Sequence, residues 1–120
     1  GHLEVVRLLL EAGADVNIRG DRIQGYLMGP ALMEAASNGH LEVVRLLLEA
    51  GADVNIQGEF SNTALIHTAR EGHLEVVKVL VEAGADVNVR NIYGKTALAY
   101  ANMYGRTEVA DYLRSVGATE

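Results

Sequence analysis

Between Leu41 and Ala50 the apolar positions Leu41, Val44, Leu47 and Leu48 return at helical spacing, and Glu42, Arg45 and Glu49 fall on another face. That period predicts an amphipathic helix over 41–50 with one side turned to a core. Gly51 stands where the helix has to stop, since a left-handed residue there costs glycine nothing. The "ADVN" that follows reads as an extended turn. The same pattern is written several times. "GHLEVVRLLLEAGADVNI" fills 1–18 and recurs unchanged at 39–56, "GHLEVVKVLVEAGADVNV" fills 72–89, and "GRTEVADYLRSVGA" at 105–118 is a degraded copy. Ahead of three of these lies a shorter segment rich in Ala and Leu, at 31–37, 63–70 and 96–103, each predicted to be a helix whose small residues admit a close neighbour. Thr63 and Thr96 sit where a side-chain oxygen caps a first turn. Pro30 takes the equivalent place in the second copy, where proline is well tolerated.

The opening glycines Gly1, Gly39, Gly72 and Gly105 are 38, 33 and 33 residues apart, so one connection carries five extra residues. A fixed period near 33 predicts a stack of helical repeats with a shared core. The motif T-A-L-x-x-A followed by G-H-L-E-V-V-x-L-L-L-E-A-G-A-D-V-N resembles the ankyrin repeat over essentially the whole chain. The resemblance implies an all-α solenoid of helix-turn-helix layers joined by β-hairpin-like turns. It divides one domain, 1–120, into a half repeat at 1–19, a repeat with the long connection at 20–57, a repeat at 58–90 and a C-terminal capping repeat at 91–120. Departures from the family pattern are local. Its Pro after Thr is Ala31, Ala64 and Ala97, and its His two residues on is Met33, Ile66 and Ala99. Its turn Asp and Gly are kept as Asn91 and Gly94 but are Gly58 and Ser61 one copy earlier, and these departures together predict weaker bonding between hairpin and helix. At the far end Asp111, Arg114 and Ser115 supply a polar outer face. At the near end the half layer leaves Val5, Val6, Leu8 and Leu9 to be covered by upstream residues or a second chain.

Composition narrows the function classes. With 49% apolar residues and 120 positions the chain can bury a core. No apolar run reaches the length of a membrane span and no targeting pattern opens the chain. The absence of cysteine excludes disulfides and thiolate metal sites and fits a reducing compartment, cytoplasmic or nuclear. A net charge of −6 without a basic stripe argues against nucleic acid and anionic membrane as partners. His2, His40 and His73 recur at one place per copy, as a structural device does, and His67 has no carboxylate or cysteine at ligand spacing. No phosphate loop, nucleophile elbow or zinc-protease pattern is present. Neither catalysis nor a cofactor is expected. Asn17, Asn55 and Asn88 are similar to the asparagines some ankyrin repeats offer to a hydroxylase, but the simpler expectation is that each holds its own turn.

Positions that vary between copies are the ones free to recognise a partner. The resemblance places them on the hairpins and the facing side of the short helices, along a concave groove. They are Gln57, Glu59, Phe60, Asn62, Arg70 and Glu71 in the third copy, and Arg90, Ile92, Tyr93, Lys95, Met103 and Tyr104 in the fourth. Ser37 and Asn38 close the second copy's short helix, and the long connection contributes Arg22, Ile23, Tyr26, Leu27 and Met28. Four of the six aromatic residues fall in this set. Phe60 and Tyr93 share one hairpin position 33 residues apart, so a ladder of rings is expected, extended by Tyr26 or Leu27. Such residues concentrate binding energy at interfaces. The function expected is a non-catalytic protein-binding module. The alternatives are self-association through the open half layer, as a duplicated or engineered scaffold, and an anchoring segment of a larger protein.

Overall fold

In the computed structural model the described residues are 21–120, with side chains from Gly29 onward. Among these residues six α-helices form, α1 (Asp21–Ser37), α2 (Leu41–Glu49), α3 (Ala64–Glu71), α4 (Leu74–Glu82), α5 (Ala97–Met103) and α6 (Thr107–Ser115). Among the described residues there is no strand. Each short helix packs on the long helix that follows it, giving three layers. The layers stack chiefly through α1 on α3 and α3 on α5. Ala36 and Ala69 are fully buried on these helices, and side chains this small are what let the short helices approach. The core runs through the stack in register. Leu32, Leu65 and Leu98 form one buried row and Leu47, Leu80 and Leu113 another, each member 33 residues from the next. The residues read as the half repeat, including Val5, Val6, Leu8, Leu9, His2 and Asn17, lie outside the described residues.

The caps follow from the sequence. Thr63 Oγ1 accepts a hydrogen bond from the Ile66 N–H at 3.2 Å, and Thr96 Oγ1 accepts from the Ala99 N–H at the same distance. Both threonines are buried, so the bond satisfies a first-turn donor that water could not reach. At the other end of α3, Gly72 takes φ 84° and its N–H bonds the Thr68 carbonyl at 2.9 Å. A Cβ there would also meet Arg106 Cδ at 2.7 Å, so both backbone and neighbour favour glycine.

One element differs from expectation. The second copy's short helix was predicted over 31–37 with Pro30 in its first turn and 20–29 as a projecting connection. Instead α1 runs 17 residues with Pro30 inside it. A helix satisfies the backbone groups of an insertion within the segment itself, whereas a long loop needs outside partners for them. Proline inside removes one bond of the ladder. Gly29 next to it is buried, and a Cβ at that position would stand 2.9 Å from Ile56 Cδ1, so α1 lies directly against the turn after α2. Arg22, Ile23, Tyr26, Leu27 and Met28 fall on the first part of α1, where side chains lie outside the described residues. Their place in the ring ladder falls there too.

The turns tie layer to layer. Asp53 Oδ1 accepts from the Asn55 N–H at 2.9 Å, and Asp86 does the same for Asn88, so the aspartates hold the turns. The asparagines, expected to do that work, reach across to the next layer. Asn55 Nδ2 donates to the Gly84 carbonyl and its Oδ1 accepts from the Asp86 N–H at 2.7 Å. Asn88 repeats this with Gly117 and Thr119. On the other side of the stack His73 Nε2 donates to the Ser37 carbonyl at 3.1 Å. Arg106, which replaces histidine in the degraded copy, donates from Nε to the Arg70 carbonyl at 3.0 Å.

Thr68 interrupts an otherwise apolar row: its register partners are Ala35 and Ala101, and its buried Oγ1 has no hydrogen-bond partner. Valine keeps the shape and removes the unsatisfied hydroxyl. Thr68→Val is expected to raise folding stability by about 1 kcal/mol, seen as a higher urea midpoint at unchanged slope.

Candidate functional site

The two described hairpins differ at the positions where their sequences depart from each other. In the fourth copy Asn91 is buried, its Oδ1 accepts from the N–H groups of Tyr93 and Lys95, and its Nδ2 donates to Asn62 Oδ1 and Tyr100 Oη at 2.9 and 2.8 Å. Gly94, with φ 72°, completes the turn. In the third copy Gly58 has no side chain to play that part. The hairpin still closes, with the Gly58 N–H on the Asn62 carbonyl at 2.9 Å, but through a 3₁₀ turn in which Phe60 and Ser61 both have φ 59°. Left-handed conformations are costly for residues with a Cβ, of order 1–2 kcal/mol each. Gln57 contributes one outside support, donating from Nε2 to the Ser61 carbonyl.

This geometry aims Phe60 outward. Its ring centroid lies 6.0 Å from that of Tyr93 with the planes tilted by 32°, and the Ile92 N–H donates to the Phe60 carbonyl at 3.0 Å. Successive hairpin tips are therefore joined through backbone as well as rings. A second pair, Tyr100 and Tyr104, stacks on α5 at 6.3 Å. Phe60, Ile92, Tyr93, Met103 and Tyr104 are each 48–61% exposed. Large apolar side chains so exposed, in a molecule with a full core, form the surface that needs explaining.

Beside Gly58 lies a cleft. It encloses about 720 Å³ between α1 and the hairpin, lined by Pro30, Met33, Ile56, Phe60, Glu59 and, from α3, His67 and Arg70. Met33 lies against the bare Cα of Gly58, close enough that a Cβ there would stand 2.6 Å from its sulfur. Arg70 is committed on two sides: Nε bonds Glu71 Oε1 at 3.3 Å, and Nη2 donates to His67 Nδ1 at 3.4 Å. Burial, and then the Arg70 charge, hold the His67 pKa below its ordinary value, so the imidazole is neutral near pH 7. A base depressed in this way stabilises the fold above its unfolded pKa and loses that contribution as pH falls below it.

Several expected contact residues therefore converge. Glu59, Phe60 and Arg70 share the cleft, and Ile92 and Tyr93 adjoin it through Phe60. Tyr104 and Met103 form the exposed end of α5. Lys95 is exposed, and Arg90 is occupied by the carbonyls of Gly94 and Glu120. Asn62 differs. It is largely buried with its oxygen on Asn91, so it braces the hairpins while also lining the cleft. Met33, Ile56 and His67 were not among the expected site residues. Met33 is a departure from the family pattern and Gly58 another, and together they were the signal for the cleft. Ile56 recurs as Ile18 and Val89, so nothing in the repeat distinguished it.

Among the described residues no group of three or more His, Cys, Asp or Glu side chains could hold a metal, and no helix is long and apolar enough to cross a membrane. The family model described as ankyrin repeats in three copies matches residues 32–119, and the model of the single ankyrin repeat matches residues 1–21. A comparison with curated proteins finds no match.

Proposed function

The chain belongs to the ankyrin repeat family, and from that premise we propose that it binds another protein along the face formed by its hairpin tips and short helices. Ankyrin repeats are general protein–protein interaction modules and are typically non-catalytic. The observation that carries the reading is the exposed strip of Phe60, Ile92, Tyr93, Met103 and Tyr104, which sits on positions that differ between copies. Ring stacking alone supplies about 0.5–1.5 kcal/mol per pair. It accounts for Phe60 and Tyr93 touching, and leaves unexplained why Ile92 and Tyr93 remain 61% exposed.

The test is affinity against stability. Phe60→Ala and Tyr93→Ala are each expected to weaken a partner by about 1–2 kcal/mol while folding is largely retained. Partners captured on the wild-type chain would be titrated against the two variants and a variant altered on the far face at Lys78. Unchanged binding with matched thermal melts would sink the reading.

A further inference from the structure

We infer that the cleft beside Gly58 takes a bulky apolar side chain from an extended partner segment whose flanking residues are cationic. The inference rests on the groove reading and names the partner's chemistry. The apolar half follows from the lining. Pro30, Met33, Ile56 and Phe60 form floor and walls, and the volume of about 720 Å³ falls in the range, about 300–1,000 Å³, of sites that enclose ligand groups. The floor is specific to this layer. One layer on, Asn91 stands in the place of Gly58 and spends its side chain on the turn, on Asn62 and on Tyr100.

The cationic half follows from which charges are already spent. Among the described residues Arg70 is the only cation lining the cleft, and Glu71 and His67 hold its guanidinium. Glu59 on the rim has no ion pair among the described residues. Neither has the exposed Glu34, which occupies on α1 the register that His67 occupies on α3. His67 adds no charge at neutral pH. An anionic segment would compete with Glu71 for Arg70 and meet the Glu59 carboxylate on the rim, whereas a cationic one finds that carboxylate without an ion pair among the described residues. The chain's net charge of −6 favours the same encounter.

The experiment is fluorescence anisotropy with three labelled heptapeptides. One has a leucine flanked on each side by two arginines, one has glycine replacing that leucine, and one has glutamates replacing the arginines. The leucine–arginine peptide is expected to bind at least tenfold more tightly than either other, and to weaken as salt rises. Gly58→Ala, which forces the Met33 thioether into the cleft, is expected to weaken it at least tenfold. Glu59→Lys, at an exposed position with no packing role, is expected to do the same without touching the fold. Equal binding of the glycine peptide would remove the anchor, and equal or tighter binding of the glutamate peptide would reverse the charge assignment. Absence of binding by all three, or indifference to Glu59→Lys, would overturn the inference outright. If the cleft fails while Phe60→Ala and Tyr93→Ala still release a captured partner, the groove reading stands and only the cleft chemistry is lost.

Discussion

Replacing Asn91 with alanine is expected to cost about 2–3 kcal/mol of folding free energy, the largest effect of any polar substitution in the described residues. The side chain is buried and makes four hydrogen bonds, accepting from two backbone N–H groups and donating to Asn62 and Tyr100. Alanine leaves all four partners to find water in a hairpin whose inner side water reaches poorly. Asn91→Asp keeps the shape and reverses only the lateral bonds. It keeps an acceptor for the Tyr93 and Lys95 N–H groups. The Asn62 amide can rotate to donate, and the Tyr100 hydroxyl can donate as well. Its cost should stay below about 1 kcal/mol at neutral pH. Urea denaturation of the three proteins orders them, and an Asn91→Ala loss as small as that of Asn91→Asp would mean that the four side-chain bonds contribute little to the hairpin.

That contrast shows where the sequence was readable. The six helices are legible because each is fixed by apolar spacing and by a Gly or Thr at its end, and five of them begin and end within about two residues of expectation. The start of α1 was not legible. Gly25, Gly29 and Pro30 are poor helix formers, and aligning Pro30 with Thr63 and Thr96 placed it in a first turn. The packing of Gly29 on Ile56 is a tertiary contact that no local signal announces. The asparagines of the "ADVN" turns illustrate the same limit. Their capacity to bond backbone was plain, but which backbone depended on the stacking offset between layers.

The candidate site was half legible for a related reason. Variation between copies marked the hairpin tips and the outward faces of the short helices, and the structure joins Phe60 to Tyr93 and Ile92 there. Variation also marked Asn62, whose difference from Lys95 serves the bond to Asn91 as well as the cleft wall. A copy-specific residue can therefore be an internal compensation for another copy-specific residue. The cleft was missed because it is assembled by tertiary packing, with Met33 of α1 against the bare Cα of Gly58 and Ile56 against Gly29, contacts that no local pattern announces.

Leu80→Ala is expected to destabilise the whole stack by about 3–4 kcal/mol, while Leu113→Ala acts locally. Leu47, Leu80 and Leu113 hold one register and all are fully buried, so the side chain removed is the same. Their neighbours differ. Leu80 lies in α4, which packs against α3 within its layer and against α2 and α6 on either side. Leu113 lies in α6, which packs against α5 and α4. In a linear array stability is the sum of layer terms and nearest-neighbour interfaces, so a defect in the middle weakens two interfaces and a defect beside one neighbour weakens one. Hydrogen exchange read by mass spectrometry distinguishes them. Leu80→Ala should lower protection in all the helices together. Leu113→Ala should first release α5 and α6 and leave α1 to α4 near wild-type protection. Equal loss in α1 and α3 for both variants would mean the stack opens as one unit. The difference reaches the surface too, because α5 carries Met103 and Tyr104 while the cleft beside Gly58 is built on α1 and α3. Leu113→Ala should therefore weaken a partner that grips the α5 end of the strip and spare a peptide that needs only the cleft.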